Sequence, residues 1–351
     1  MAFDVNKLVR NNIRRLQPYS SARNEFSGDA SVMLDANENA FGSPVIGNYN
    51  RYPDPLQNKL KEKLADIKGV PKDYIFLGNG SDEAIDLLFR IFCQPGIDNV
   101  VLVPPTYGMY EVSAQINDVY CKKVPLTADY QLNLDEIAAS IDQNTKMIFI
   151  CSPNNPTGNS IKAQDIETIL VNFDGIVVVD EAYINFSKQR SFTYTLPEFP
   201  NLVILQTLSK AWGLAALRLG LAFANKGIIN LMNRVKPPYN INQATQEMVM
   251  KALDGVEQVN QWIQEVVKER ESITQELENI AQVKKVYPSD ANFILAKFEK
   301  AKELFIHLKK KGVIVRDRSN QALCEQGLRI TIGAPEENAL LLREIKNFYE
   351  D

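Results

Sequence analysis

The stretch TLSKAWGLAALRLG, residues 207–220, follows Ser209 with a single lysine, Lys210, and then with small and apolar residues. An amine desolvated in such surroundings, and placed near a second cation, loses proton affinity and becomes a nucleophile near neutral pH. Arg218, eight residues on, could be that cation or a clamp for a phosphate. A surface lysine in a loop is the plain alternative. Thirty residues earlier, GIVVVDEAY puts Asp180 directly after an apolar run, with Tyr183 three residues further. A carboxylate held at a strand end can pair with a protonated ring nitrogen, and the tyrosine supplies a phenol beside it. The competing reading of Asp180, a magnesium ligand in a nucleotide hydrolase, needs an upstream G-x-x-x-x-G-K-[ST], and no Gly-Lys dipeptide occurs in the chain.

Two further segments add polar groups. GNGSDEAIDLLFRIF joins a glycine-bearing turn to a helical pattern with apolar Ile85, Leu88, Phe89 and Phe92, and with Ser81 or Asp82 placed to cap. Free backbone N–H groups at such a turn favour phosphate, although an ordinary capped helix explains it about as well. SPNNPTG supplies Asn155, either a turn former or a hydrogen-bonding partner for a ring substituent. Together these parts are what holding pyridoxal phosphate requires.

The elements that must position them are short β-rich runs, YIFLG, NVVLVPP, KMIFICSP, GIVVVDEA, LVILQTLS and RLGLAFAN, alternating with helical patterns between about residues 70 and 225. Such alternation predicts a mainly parallel, doubly wound sheet with ligands gathered at the strands' carboxyl ends. After KPPYNIN the pattern turns to helix, including a long one through QVNQWIQEVVKERESITQELENI, and then to strands NFILAKF, GVIVRD and LRITIG interleaved with helices. This predicts an α/β architecture: an N-terminal arm (1–35) with a helix around Val5 to Leu16 packing on the smaller unit, a large domain (36–239), and a small α/β domain (240–351).

Composition limits the function classes. The 351 residues exceed what one compact core usually holds, and 45% apolar with 23% charged residues is ordinary for a globular protein. A net charge of −4 offers no field for nucleic acid or anionic lipid, and the basic run Lys309–Lys311 ends a helical pattern, where cations suit the dipole. The four cysteines, Cys93, Cys121, Cys151 and Cys324, form no C-x-x-C pair, and the single histidine, His307, leaves no histidine-based triad or multi-histidine metal site. No metal is expected. The opening MAFDVNKLVRNNIRRL is interrupted by charge too often for a signal-peptide core, and no apolar run approaches a membrane span, so a cytoplasmic location is expected.

On these segments the chain resembles the fold type I pyridoxal-phosphate aminotransferases, and among them the histidinol-phosphate aminotransferase family, over nearly its whole length. The resemblance implies a large domain with a mainly parallel seven-stranded sheet flanked by helices. It implies Lys210 as the Schiff-base lysine, Asp180 at the pyridine nitrogen, and Asn155 and Tyr183 at the ring O3′. Tyr107 is implied as the stacking aromatic, with Gly80, Ser81, Asp82, Ser209 and Arg218 at the cofactor phosphate. Tyr52, in RYPDP, is implied to reach the cofactor phosphate of the neighbouring subunit in a homodimer. Tyr19, Asn37, Arg316 and Arg329 are implied at the substrate, the two arginines as anionic anchors. The reaction implied transfers an amino group between glutamate or 2-oxoglutarate and imidazole-acetol phosphate or histidinol phosphate, within histidine biosynthesis. The rivals are a threonine-phosphate decarboxylase, an aromatic or broad-specificity aminotransferase, and a non-catalytic binder of the same fold. Ala40 stands where the family usually has proline, Trp212 where phenylalanine is frequent and Ala216 where glycine is, and none of the three removes a group the chemistry uses.

Overall fold

A computed structural model describes residues 3–19 and 32–350. Its large sheet is built from β1 (Ile75–Asn79), β2 (Asn99–Leu102), β3 (Tyr120–Lys123), β4 (Thr145–Cys151), β5 (Ile176–Asp180), β6 (Leu202–Thr207) and β7 (Leu219–Ala224), in the order β1-β7-β6-β5-β4-β2-β3. The apolar runs are buried along their length because both faces of the sheet are covered. Val177 and Val179 join one hydrophobic cluster and Ile176 and Val178 the other, the period-two alternation of a strand between two helical layers.

Each of the six expected runs forms a strand, with two corrections. The edge strand β3, YCKK, was not anticipated; its exposed, cationic face carries none of the apolar signal of the interior strands. β7 runs antiparallel to both neighbours, β1 and β6. Between Thr207 and Leu219 lies only a single 3-10 turn, Ala215–Leu217. That connection is too short for the helical crossover a parallel strand needs. The amino end of β7 therefore lies at the carboxyl ends of β1 and β6, Gly220 pairing with both Gly78 and Thr207.

The small sheet is antiparallel, in the order β10-β11-β9-β8: β8 (Val283–Val286), β9 (Phe293–Phe298), β10 (Arg316–Asp317) and β11 (Gly327–Thr331). β8, VKKV, was also missed, and for the same reason as β3. The sheet packs on the long helix Val256–Glu278 and on helices Ala301–Lys310 and Pro335–Glu350 through Ile273, Leu304 and Ile345.

The N-terminal arm departs from expectation. In place of one helix there are two turns, Val5–Leu8 and Asn11–Arg14, because Val9 and Arg10 are extended (ψ 132° and 142°). Extension lets Val9 and Ile13 bury themselves in the large sheet's second cluster, and Arg10 N–H donates to Ile91 O at 3.0 Å. Over its described residues the arm lies on the large unit, not the small one, because its apolar side chains find their partners there. Among the described residues no helix is long and apolar enough to cross a membrane.

Candidate active site

The carboxyl ends of β4, β5 and β6 and the amino end of β7 surround a cavity lined by Gly80, Ser81, Asp82, Tyr107, Cys151, Asn155, Asp180, Ala182, Tyr183, Thr207, Ser209, Lys210 and Arg218. Residues separated by up to 138 positions in the chain thus meet in one place, and among them are ten of the fifteen site residues expected from the sequence.

Asp180 ends β5 opposite Cys151 in the parallel register, on the face that carries Ile176 and Val178. It is buried, and both its oxygens are engaged: Ala182 N–H donates to Oδ1 at 3.0 Å and the Tyr110 hydroxyl donates to Oδ2 at 2.7 Å. Loss of hydration raises its pKa to about 6, the two hydrogen bonds opposing the rise. Glu181, the next residue, points the other way and accepts from Gln206 Nε2 at 2.9 Å, Ser191 Oγ at 2.6 Å and Phe192 N–H at 2.7 Å, which fixes the strand end.

Lys210 reaches into the open cavity, with Nζ 5.6 Å from the centre of the Tyr183 ring. The expectation of a buried amine needs adjusting, since the side chain is exposed there. Even so, the surrounding protein lowers its pKa. Desolvation is the first cause and Arg329 the next, opposed by Asp180, with Arg218 a weaker contributor. The activating cation is therefore chiefly Arg329, 119 positions away, rather than the Arg218 suggested by chain proximity.

Asn155 connects the cavity to the small sheet. Its amide donates to the Tyr183 hydroxyl at 3.3 Å, and Arg329 Nη1 donates to its Oδ1 at 2.6 Å. Arg329 also lies 5.3 Å from the Phe293 ring centre. Arg316 is exposed and stands opposite Arg329 in the β10–β11 register.

The turn before helix Gly80–Phe92 is left open for an anion. Neither Ser81 nor Asp82 caps the helix; Asn79 is the N-cap but its side chain makes no capping bond, its amide donating instead to Asn240 O at 2.6 Å, while Glu83 Oε2 accepts from Asn79 N–H at 2.5 Å. Gly80 N–H donates to Arg218 O at 2.8 Å, which leaves the N–H groups of Ser81 and Asp82 facing the cavity with the positive end of the helix dipole behind them. Gly80 is left-handed (φ +70°), and a Cβ there would lie 2.7 Å from Arg218 Nη2. A Cβ on Gly220 would lie 2.2 Å from Ser81 N, so the close approach of β7 to the turn requires glycine. Arg218 reaches the same corner, with Nη2 3.7 Å from Asp82 Oδ2. Helix N-terminus, guanidinium and hydroxyl groups of Ser81 and Ser209 form a donor set fitted to a phosphate, and Asp180 is fitted to a protonated ring nitrogen.

Of the five expected residues that do not line this cavity, Arg329 meets it through its bond to Asn155 and the other four lie elsewhere. Asn37 and Tyr52 line a second cavity with Glu38, Arg51 and Tyr239, and the Tyr52 ring stacks on Tyr239 at 4.5 Å. Tyr19 is exposed, next to residues outside the description. Arg316 does not line the first cavity. Sequence reasoning in turn missed Tyr110, Cys151 and Thr207. The PPTYGMY motif contains Tyr110, but the helix starts only at Met109 with Tyr107 before it, so no periodicity in the sequence linked the two tyrosines.

A profile of the family described as aminotransferase class I and II matches residues 22–345. The chain belongs to that family. It is 53% identical over 344 residues to the histidinol-phosphate aminotransferase of Parabacteroides distasonis, the match covering 98% of this chain and 99% of that one. The crystal structure of the histidinol-phosphate aminotransferase from Clostridium acetobutylicum superposes with a TM-score of 0.78 at 26% identity, covering 86% of this chain and 92% of that chain. The Sinorhizobium meliloti histidinol-phosphate aminotransferase in complex with pyridoxal-5'-phosphate shares the fold, with a TM-score of 0.77 at 21% identity over 89% of this chain and 90% of that one. These aminotransferases have the same two-sheet architecture, which the fold type I resemblance had implied.

Proposed function

We propose that this chain is a pyridoxal-phosphate-dependent transaminase that moves an amino group between histidinol phosphate and 2-oxoglutarate, and in reverse between glutamate and imidazole-acetol phosphate, in histidine biosynthesis. The observation that carries the reading is the meeting of Lys210, Asp180, Tyr183 and Asn155 around one cavity, with Arg329 bonded to Asn155 beside it, in a chain that matches relatives of that name over almost its full length.

In this reading Gly80, Ser81, Asp82, Ser209 and Arg218 hold the cofactor phosphate, Asp82 through its backbone N–H. Tyr107 would lie against the ring, and Asn155 and Tyr183 would bond its phenolic oxygen. The bound cofactor supplies an electron sink for the charge left at the substrate Cα. Asp180 keeps a proton on the ring nitrogen. Lys210 Nζ removes the Cα proton and returns it, a transfer that needs no diffusion because the amine is already tethered within reach. Its lowered pKa leaves more of it as free amine at neutral pH. Arg329 and Arg316, with Tyr19 and Asn37 closing over them, receive the substrate's anionic end; a guanidinium fork accepts a carboxylate or a phosphate alternately.

The reading includes a homodimer. Tyr52 lies outside the cavity of its own chain, and the segment before it exposes Leu34, Phe41, Val45 and Ile46, apolar surface of the kind that a second copy covers. Tyr52 would then reach the neighbouring subunit's cofactor phosphate. The cytoplasm is the compartment this role implies.

The test is a side-by-side assay of the pure holoenzyme: amino transfer from histidinol phosphate to 2-oxoglutarate against carbon dioxide release from threonine phosphate. Transfer without carbon dioxide release is expected, and the opposite result sinks the reading.

A further inference from the structure

β10 and β11 are antiparallel with Arg316 opposite Arg329, and the ladder continues past β10 where Arg318 N–H donates to Gly327 O at 2.9 Å. Opposed residues of an antiparallel pair share a face, as do residues two apart on one strand. Arg316, Arg318 and Arg329 therefore project from the same side of the small sheet, the side on which Arg329 meets Asn155.

Their environments differ. Arg316 is exposed, whereas Arg318 and Arg329 are sheltered, each with its Nε buried and without a hydrogen-bond partner. Among the described residues none of the three forms an ion pair with a carboxylate. Asp317, their neighbour in sequence, accepts from Ser319 N–H at 2.8 Å. Arg318 also disfavours the charge on Arg329 more than Arg316 does. Two sheltered, unneutralised guanidinium groups side by side are costly unless an anion sits between them, and one carboxylate carries a single charge across two oxygens. A phosphate monoester brings nearly two charges and three oxygens, enough to engage two forks.

We propose that Arg318 is a specificity-determining residue which, together with Arg329, makes the substrate pocket select a phosphate dianion over a carboxylate. This rests on the reading of the substrate as phosphorylated. It assigns Arg329 to both amino donors and Arg318 chiefly to the phosphorylated one.

The experiment follows the two half-reactions of the holoenzyme separately by absorbance, with histidinol phosphate and with glutamate, in wild type, Arg318→Gln and Arg318→Lys. Loss of a charged hydrogen-bonding partner predicts a fall of about tenfold or more in kcat/KM for histidinol phosphate, mainly through KM, and about threefold or less for glutamate. Arg318→Lys should recover part of the loss, keeping the charge without the fork. Inorganic phosphate, as a competitive inhibitor of the glutamate half-reaction, should weaken about tenfold in Arg318→Gln. Equal losses with both donors, or phosphate inhibition unchanged by the substitution, overturns the proposal. If wild type ignores histidinol phosphate while phosphate inhibition still depends on Arg318, the substrate reading fails and the anion-selecting role stands.

Discussion

The Tyr110 hydroxyl donates to Asp180 Oδ2 at 2.7 Å in a fully buried setting, its ring stacked on Phe149 at 5.0 Å and edge-on to Tyr107 at 5.5 Å. One tyrosine thus supports the carboxylate and, through its ring, the aromatic expected over the cofactor. Tyr110→Phe keeps the packing and removes the donor. A hydrogen bond to a charged group contributes about 1.5–3 kcal/mol, so the variant should bind pyridoxal phosphate about tenfold or more weakly. Its Asp180 should also titrate above the wild-type value of about 6. A cofactor titration across pH 5 to 8 measures both, and unchanged affinity and pH profile would show that Tyr110 is only filling space.

Asp180 makes the cofactor-free protein pH-sensitive. Its folded pKa, about 6, lies above its unfolded value of 3.8, so the folded state prefers the protonated form. The stability contributed by that proton is complete below about pH 4 and is lost as pH rises through 6, roughly 3 kcal/mol in all. Asp180→Asn should remove this fall, flattening the dependence of Tm on pH between 4 and 7 in the cofactor-free protein. Bound cofactor should reverse the comparison, because a protonated ring nitrogen favours the ionised carboxylate. Parallel Tm curves for the two cofactor-free proteins would contradict the account.

Lys210 is expected to carry the covalent chemistry. Borohydride treatment of the holoenzyme should leave a cofactor adduct that mass mapping places on Lys210, and an adduct elsewhere would refute the assignment. Lys210→Ala should fold normally and lose amino transfer by at least about 10²- to 10⁴-fold, the range that a positioned base contributes.

Gly220 permits the approach of β7 to the phosphate-seat turn. Gly220→Ala would place a methyl 2.2 Å from Ser81 N and force backbone to move. A cost of about 1–3 kcal/mol in stability is expected, with weakened cofactor binding, both readable by thermal unfolding with and without pyridoxal phosphate. Gly213, left-handed at φ +65° with open space around it, is the control: its alanine variant should lose stability through backbone strain without loss of the phosphate seat.

Tyr52 tests subunit sharing. If each site borrows this residue from its neighbour, a Lys210→Ala/Tyr52→Phe hybrid dimer restores one intact site, and mixing the two inactive or weakened variants should raise activity above the sum of the parts. No gain after demonstrated subunit exchange would argue against the shared site.

Local sequence determined much of this protein. Short, β-branched apolar runs such as IVVVD and LVILQT, alternating with helical patterns, read as strands buried on both faces, and in a parallel sheet the polar residues that end them, Asp180 and Thr207, fall together at one edge. Lys210 and the open turn at Gly80 were legible for the same reason. Tertiary structure decided what depends on chain reversal and on contacts between distant segments. The direction of β7 places Arg218 at the site end, and the polar edge strands β3 and β8 acquire their pairing only from a neighbour already in place. The packing of the small sheet against Asn155 makes Arg329, far off in sequence, the cation that most depresses the Lys210 amine. Periodicity records which face of an element is buried, but it does not record what lies across that face, and electrostatics depends on the latter distance.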